Sequence, residues 1–188
     1  MLWVIHTERV FTAPSGCRAE PQSTIAYRRI WAISRLKSIG VSNANIIHFF
    51  IMKIRSVLES SCPVFFSMMT EADRAEVEKP QKILVKILLG QRYTTYTEGL
   101  AELGLISIRE RMVTLCLKWA MKTAEDTKFS YLFPRNISSD DHDLREREAF
   151  SVPFCHTERY RNSPLVYMKR LLNAHFAGKP LLLAAPPE

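Results

Sequence analysis

The residues that could do metal or acid–base chemistry are most concentrated in "SDDHD", positions 139 to 143. Its three carboxylates and one imidazole are ligands that suit magnesium or manganese. The stretch belongs to a polar loop without a strand to aim the ligands, and productive metal binding needs rigid support. A solvated loop is therefore the favoured interpretation, and we expect no metal and no cofactor.

A second candidate stretch is "CHTERYRNSPLVYMKRLLN", residues 155 to 173, which combines a Cys-His pair, two tyrosines and four basic residues. A zinc site would need two further ligands, and Cys17 or His6 would have to supply them from the N-terminal arm. No phosphate-binding glycine loop, GxSxG or HExxH motif occurs in the chain. We assign no catalytic residue and expect the Cys-His pair to serve packing.

Basic charge is concentrated toward the two ends of the chain. Residues 1–60 carry eight Lys/Arg against three Asp/Glu, residues 61–144 eleven against twelve, and residues 145–188 seven against four. Neutralised phosphates supply most non-specific affinity for nucleic acids, so this distribution favours contact with a polyanion through the ends. An ordinary solvated basic surface is the competing interpretation.

The elements that must position these residues are predicted to be helices. Helix caps recur along the chain and strand alternation is almost absent, which predicts an all-α, irregular bundle of about five to six helices with a flexible N-terminal arm. Helices are predicted from about residue 24 to Gly40, from Ser42 to about residue 60, from Thr70 to Gly90, near 96–103, from Ser107 to about residue 126, and from Ser163 to about Phe176.

Periodicity also predicts which helix faces are buried. The first helix is expected to place Tyr27, Ile30, Trp31 and Ser34 on one side, with Ile33 and Leu36 nearby. The second is apolar all round its axis, which predicts the central buried helix, with His48 as a hydrogen-bonded core histidine.

Two later helices carry their own expectations. Pro80 lies inside the third pattern and predicts a kink or two separate helices. Ile108, Met112, Leu115 and Trp119 have core spacing in the helix after Ser107.

The chain divides by composition into a structured centre and polar segments. Residues 1–23 are expected to be an irregular arm and residues 24–133 a helical domain. Charged residues dominate 134–150, which we interpret as a linker; a basic segment and helix over 151–178 and a tail over 179–188 follow.

The chain is expected to be soluble and intracellular. The N-terminal "MLWVI" is too short for a signal sequence, and no apolar run reaches the length of a membrane span. The four cysteines are far apart and lack CxxC spacing, so neither a zinc knuckle nor a disulfide scaffold is predicted.

The order of several segments resembles a known family. "IRSVLESSCPV", "GLISIRERM" and the closing "CHTERYRNSPLVYMKRLLN" are similar, in sequence and order, to the region after the palm in reverse transcriptases of non-LTR retrotransposons, jockey-like elements especially. The resemblance covers about residues 27 to 174. It implies the thumb and the segment beyond it, a helical unit that grips the template–primer duplex.

The resemblance has two departures. The catalytic palm of that family carries an aspartate on one strand and an Asp-Asp pair on a hairpin, and no stretch here matches either; Asp140-Asp141 follows two serines in a polar run. Pro80 and "VFFSMM" also depart from the family pattern, which suggests a diverged or decaying copy. No polymerase activity is expected from this chain alone.

A thumb needs helices that are apolar on one face and basic on the other, where they meet phosphates. On the last helix Leu165, Met168 and Leu172 are expected to pack while Lys169 projects elsewhere. Predicted contacts to RNA or an RNA–DNA hybrid are made by Arg28, Arg29, Arg35, Lys37, Arg159, Arg161, Lys169 and Arg170.

Two alternatives stay open. The chain could be a helical protein-interaction module that self-associates through the apolar faces of residues 44–58 and 108–120. It could also be a decayed copy without a selected role.

Overall fold

The computed structural model describes residues 22–135, 149–179 and 181. The predicted arm, except for its last two residues, and the "SDDHD" loop lie outside the described residues. The helices are α1 (Gln22–Ser38), α2 (Asn43–Phe50), α3 (Ser56–Glu59), α4 (Cys62–Phe65), α5 (Glu71–Leu89), α6 (Tyr96–Leu103), α7 (Ile108–Glu125), α8 (Glu158–Arg161) and α9 (Pro164–Phe176).

The predicted all-α architecture is confirmed. Six of the helices in the described part of the chain have eight residues or more, and the β-type pairing found there is a single bridge between Arg135 and Phe150. A π-helical segment, Ile51–Arg55, joins α2 to α3, and short 3-10 turns follow α4 and α5.

Helix starts follow from local side-chain chemistry. Thr70 Oγ1 accepts from the Asp73 N–H at 3.2 Å while the Asp73 carboxylate accepts from the Thr70 N–H at 3.1 Å, which closes a capping box at the start of α5. Ser107 and Glu110 form the same reciprocal pair at α7. Both helices therefore begin at the residues predicted to start them, Thr70 and Ser107. Gly104 ends α6 at φ 64°, in the left-handed region that glycine tolerates best.

One apolar core runs from the first helix to the last. α1 packs against α5 and the 51–59 segment, and α9 packs against α7 and α4. Side chains with less than 2% exposure come from elements far apart in sequence: Ile33, Ile46, Phe50, Ile54, Leu58, Leu84, Ile108, Met112, Phe150, Met168, Leu171 and Leu172. The C-terminal helix is therefore part of the same core as α1 to α5 and α7, whereas Val85, Leu89 and Leu100 form a smaller cluster between α5 and α6.

The predicted face of α1 is wrong in part. Ile30 and Ile33 are buried, whereas Trp31 and Ser34 are exposed. The side chain of Tyr27 lies outside the described residues. The core stripe of α1 runs through Ala26, Ile30 and Ile33, because this spacing of four and three residues faces α5.

The helix after Ser42 begins where predicted but is not buried all round. The Ser42 hydroxyl caps it by accepting from the Asn45 N–H. Its core residues lie four positions apart, as in Ile46, Phe50, Ile54 and Leu58. The wider turn of the π-helical segment keeps this spacing on one side, and Ile51 and Met52 on the other side are exposed.

His48 is exposed on the same outer side, so its prediction as a core histidine is wrong. The error comes from the four-residue spacing of the apolar residues in this helix. An apolar spacing of four residues drifts round an ideal α-helix and gives a false impression that every side is apolar.

Further corrections concern α5, α7 and α9. Pro80 is buried inside a single uninterrupted α5, so the alternative of two separate helices is wrong and the kink stays a prediction. Trp119 and Leu165 are exposed rather than packed. In α7 the core stripe passes through Cys116 and Ala120, because these positions face α4 and α9.

The two ends of the predicted charged linker are anchored to the core. Phe150 is buried, and its ring meets Phe133 edge-on with centroids 6.4 Å apart. The Asn173 side-chain amide pairs with the Phe150 backbone through two hydrogen bonds of 2.8 and 3.0 Å. Residues 136–148 lie outside the described part of the chain.

Candidate nucleic-acid interface

The N-terminal group of predicted phosphate contacts lies on α1. Arg28, Arg29 and Arg35 are exposed, and Lys37 is half-buried. The Arg29 guanidinium donates to the backbone carbonyl of Lys53, and that of Arg35 lies 5.4 Å from the centre of the Trp31 ring. These contacts use backbone and aromatic partners, and neither arginine forms an ion pair with a residue that the structure describes.

Lys37 differs from the arginines of this group. Its ammonium group donates to the Asn43 side chain at 2.7 Å, which ties the end of α1 to the start of α2. Arg55 contributes to the basic count of this half of the chain, but it is buried and pairs with the Glu59 carboxylate at 2.6 Å. Arg55 is therefore unsuited to a phosphate contact.

The C-terminal group lies on α8 and α9. Arg159 and Arg161 are exposed on the short α8, which Thr157 caps through the Tyr160 N–H. Lys169 and Arg170 are half-buried on α9. None of these four side chains forms an ion pair with another residue that the structure describes.

The residues of the N-terminal group lie together on α1, and those of the C-terminal group lie together on α8 and α9. The two groups lie on helices that pack against different parts of the bundle. α1 lies on α5 and the 51–59 segment, whereas α8 packs on α9, and α9 packs on α7 and α4. Within the described ranges no ion pair or ring contact joins the α1 group to the C-terminal group. A ligand that contacts both groups would have to extend across the bundle.

Sequence reasoning missed basic residues that stand over aromatic rings on α5. The Lys82 and Lys86 ammonium groups each lie 5.5 Å from a ring centre, of Tyr96 and Tyr93 respectively. Their spacing of four residues places both on one face of α5. That spacing was visible in the sequence, but the position of the tyrosines depended on how α6 packs.

The Cys-His pair does not form part of a metal cluster in the described residues. The Cys155 thiol donates to the Pro153 carbonyl at 3.2 Å, and the exposed His156 ring meets the Phe154 ring edge-on. In the parts of the chain that the structure describes, no three His, Cys, Asp or Glu side chains are grouped to hold a metal ion.

A buried carboxylate, Glu78 of α5, forms a polar cluster with the start of α7. Glu78 accepts from the N–H groups of Ile108 at 3.0 Å and Arg109 at 3.1 Å, and also from the Tyr96 hydroxyl. Burial, followed by the hydrogen bond to Glu78, raises the pKa of Tyr96 well above its usual range. Because these bonds satisfy helix-terminal N–H groups, the cluster stabilises the fold and resembles no acid–base pair open to a substrate.

Two buried thiols form a further internal polar pair. Cys62 and Cys116 have sulfur atoms 3.7 Å apart, and the Cys62 thiol also lies 3.5 Å from the Met112 carbonyl. The hydrogen bond with Cys116, together with burial, raises the pKa of Cys62 far above its usual range. A thiol held in its protonated form is a poor nucleophile, so Cys62 has a packing role, and Cys116 is buried beside it.

The candidate interface therefore consists of exposed basic residues on a helical bundle. No helix among the described residues is both long enough and apolar enough to span a membrane. Comparisons of the chain with protein-family models, curated proteins and solved structures find no significant match. Its function has to be inferred from its own residues.

Proposed function

We propose that this chain is a thumb-like fragment of a retrotransposon reverse transcriptase that lacks the catalytic palm and binds RNA or an RNA–DNA hybrid through phosphates. The observation that carries the proposal is the pair Arg159 and Arg161, both exposed and without an ion-pair partner among the described residues. They belong to "CHTERYRNSPLVYMKRLLN", one of the segments that resemble the thumb and the segment beyond it in that family.

The way this segment is held supports the proposal. α9 buries Val166, Met168 and Leu171 in the bundle and keeps Lys169 and Arg170 only half-buried. A basic surface fixed to a rigid core loses less conformational entropy on binding than a free tail would. Arg28, Arg29 and Arg35 supply a second exposed basic surface on α1.

Binding without catalysis is the expected behaviour. Phosphoryl transfer needs carboxylates that hold metal ions on rigid strands. The Asp140-Asp141 pair lies outside the described residues and, by its sequence, follows no hydrophobic strand. We expect the purified chain to show no metal-dependent primer extension, and extension by this chain would overturn that part of the proposal.

The test is the affinity for an RNA–DNA hybrid, measured by electrophoretic mobility across a salt series. Each phosphate contact contributes about 0.7 to 0.9 to the slope of log K against log salt. The double variant R159Q/R161Q should weaken binding and reduce that slope by about 1.5.

The matched control is K118Q/K122Q, which removes the same charge from exposed positions on α7. It should leave the slope near that of the unmodified chain. If the unmodified chain does not bind the hybrid even at low salt, the proposal is wrong. If both double variants lose equal slope, binding is diffuse and the assignment to Arg159 and Arg161 is wrong.

A second candidate function is self-association through apolar helix faces. Ile51 and Met52 on the π-helical segment and Trp119 on α7 are large apolar side chains exposed to solvent. A dimer in sedimentation experiments that persists at high salt, without affinity for nucleic acid, would favour this candidate over the first.

A further inference from the structure

Three exposed rings lie close in sequence just before the last helix. Phe154 is 81% exposed, Tyr160 is 47% exposed, and His156 is exposed between them. The Phe154 and His156 rings are perpendicular, at 88°, with centroids 4.8 Å apart. This edge-on contact leaves most of the Phe154 ring in solvent. Exposing that apolar surface to water is unfavourable in free energy compared with burying it.

The segment that carries these rings is fixed at both ends. Phe150 is buried and clamped by Asn173, and α9 begins at Pro164 with most of its apolar residues in the core. Between these anchors Thr157 caps the short α8 and sets the position of Tyr160. The rings are therefore displayed by a supported segment.

Positive charge accompanies the rings. Arg159 and Arg161 flank Tyr160, both exposed, and Glu158 is the one carboxylate from residue 149 to residue 179. Exposed rings followed by a tyrosine between two arginines match the chemistry of an unpaired nucleic-acid strand, whose bases stack on aromatic faces while its phosphates meet cations.

We propose that Phe154, His156 and Tyr160 form a stacking platform for the bases of single-stranded nucleic acid. The inference rests on the proposed function and restricts the ligand of these three rings to unpaired strands. Bases stacked within a duplex present no free face to a side chain. The arginines bind the phosphates of the same strand. An acidic protein partner would use the same charges but has no need of several separate exposed rings.

The test compares single-stranded and double-stranded probes by fluorescence anisotropy. The probes are a labelled ten-nucleotide oligouridine and a labelled RNA–DNA hybrid of the same length. The double variant F154L/Y160L keeps apolar side chains and charge but removes two aromatic faces. We expect it to bind oligouridine about ten-fold more weakly, on the scale of base stacking, and the hybrid within two-fold of the unmodified chain.

The matched control is F129L/Y131L, which removes two exposed rings beside Lys128 in a different part of the fold. It should bind both probes like the unmodified chain. The salt slope should be unchanged in both double variants, since neither alters a charge.

The outcomes separate this inference from the proposed function. If F154L/Y160L binds oligouridine like the unmodified chain while the hybrid is still bound, the platform is wrong and the proposed function stands. Equal losses for both probes also overturn the platform. If the unmodified chain binds neither probe, both proposals fail.

Discussion

At the residue scale, Glu78 shows how one buried side chain joins parts of the fold that are far apart in sequence. Its carboxylate lies on α5 and satisfies two N–H groups at the start of α7, 30 and 31 residues away. It also receives the Tyr96 hydroxyl from α6. Three helices therefore depend on a single charged group that the sequence alone does not mark as special.

Replacing Glu78 with Gln should lower the free energy of unfolding by about 2 kcal/mol, because hydrogen bonds to a charged acceptor and its interaction with the α7 N-terminus are lost. The measurement is the urea midpoint followed by circular dichroism. Glu76→Gln, at a half-buried position of the same helix where the carboxylate accepts from the Lys79 ammonium group, should change stability by less than about 0.5 kcal/mol. Equal effects of both variants would contradict the role assigned to Glu78.

Tyr167 gives the molecule a predicted sensitivity to alkaline pH. Burial, and then the nearby Cys116 thiol, raise the pKa of Tyr167 well above its usual range. An unfolded tyrosine has a pKa of about 10, so above that pH the unfolded chain loses a proton that the folded chain keeps. Stability should therefore fall as pH rises above about 10, by up to about 1.4 kcal/mol per pH unit for this group.

Tyr167→Phe should make that decline shallower. The buried Tyr167 hydroxyl has no hydrogen-bond partner among the described residues, so its removal should leave stability at neutral pH unchanged or slightly higher. Thermal midpoints at pH 7 and pH 11 are the measurement. Tyr131→Phe, at an exposed position, is the control, and a loss of stability at pH 7 in Tyr167→Phe would contradict the prediction.

At the scale of helices, the sequence predicted where helices begin but not which of their faces are buried. Capping boxes involve residues three apart, so Thr70–Asp73 and Ser107–Glu110 could be recognised from spacing alone. Which face is buried depends on the neighbouring helix, and for that reason Trp31 and Trp119 were misassigned.

The candidate interface was predictable to a different extent. Exposure of Arg159 and Arg161 agrees with the sequence interpretation, because charged residues before a helix cap seldom lie in a core. The burial of Arg55 and the exposed rings of the proposed platform were not predicted. The burial of Arg55 depends on its ion pair with Glu59, and the position of the rings depends on the clamped Phe150.

Gly99 tests how closely α5 and α6 pack. A Cβ atom at this position would lie 2.5 Å from Val85 Cγ1 and 3.1 Å from Leu89 Cδ1. Gly99→Ala should therefore destabilise the protein by about 1 kcal/mol, since overpacking outweighs the better helix propensity of alanine.

The double variant V85A/G99A is the control for that clash. With Val85 truncated, the Gly99→Ala change should become neutral or stabilising, which a double-mutant cycle of urea midpoints would measure. If Gly99→Ala stabilises the chain that retains Val85, the two helices are less closely packed than described.

At the scale of the whole molecule, the continuity of the core decides whether the C-terminal segment folds with the rest. Core residues of α1, α5, α7 and α9 belong to one cluster, in which Leu172 is 1% exposed. Unfolding is therefore expected to be one cooperative transition for all of these helices. The basic residues of α8 and α9 would then be presented only by the folded bundle.

Leu172→Ala should destabilise the entire bundle by about 2 to 5 kcal/mol, the range for a large-to-small change in a core. Circular dichroism and tryptophan fluorescence should shift together, because Trp31 and Trp119 report from α1 and α7. Leu165→Ala, at an exposed position of the same helix, should cost less than about 1 kcal/mol. A Leu172→Ala transition in which fluorescence keeps its original midpoint would instead mean that α9 unfolds separately from the bundle.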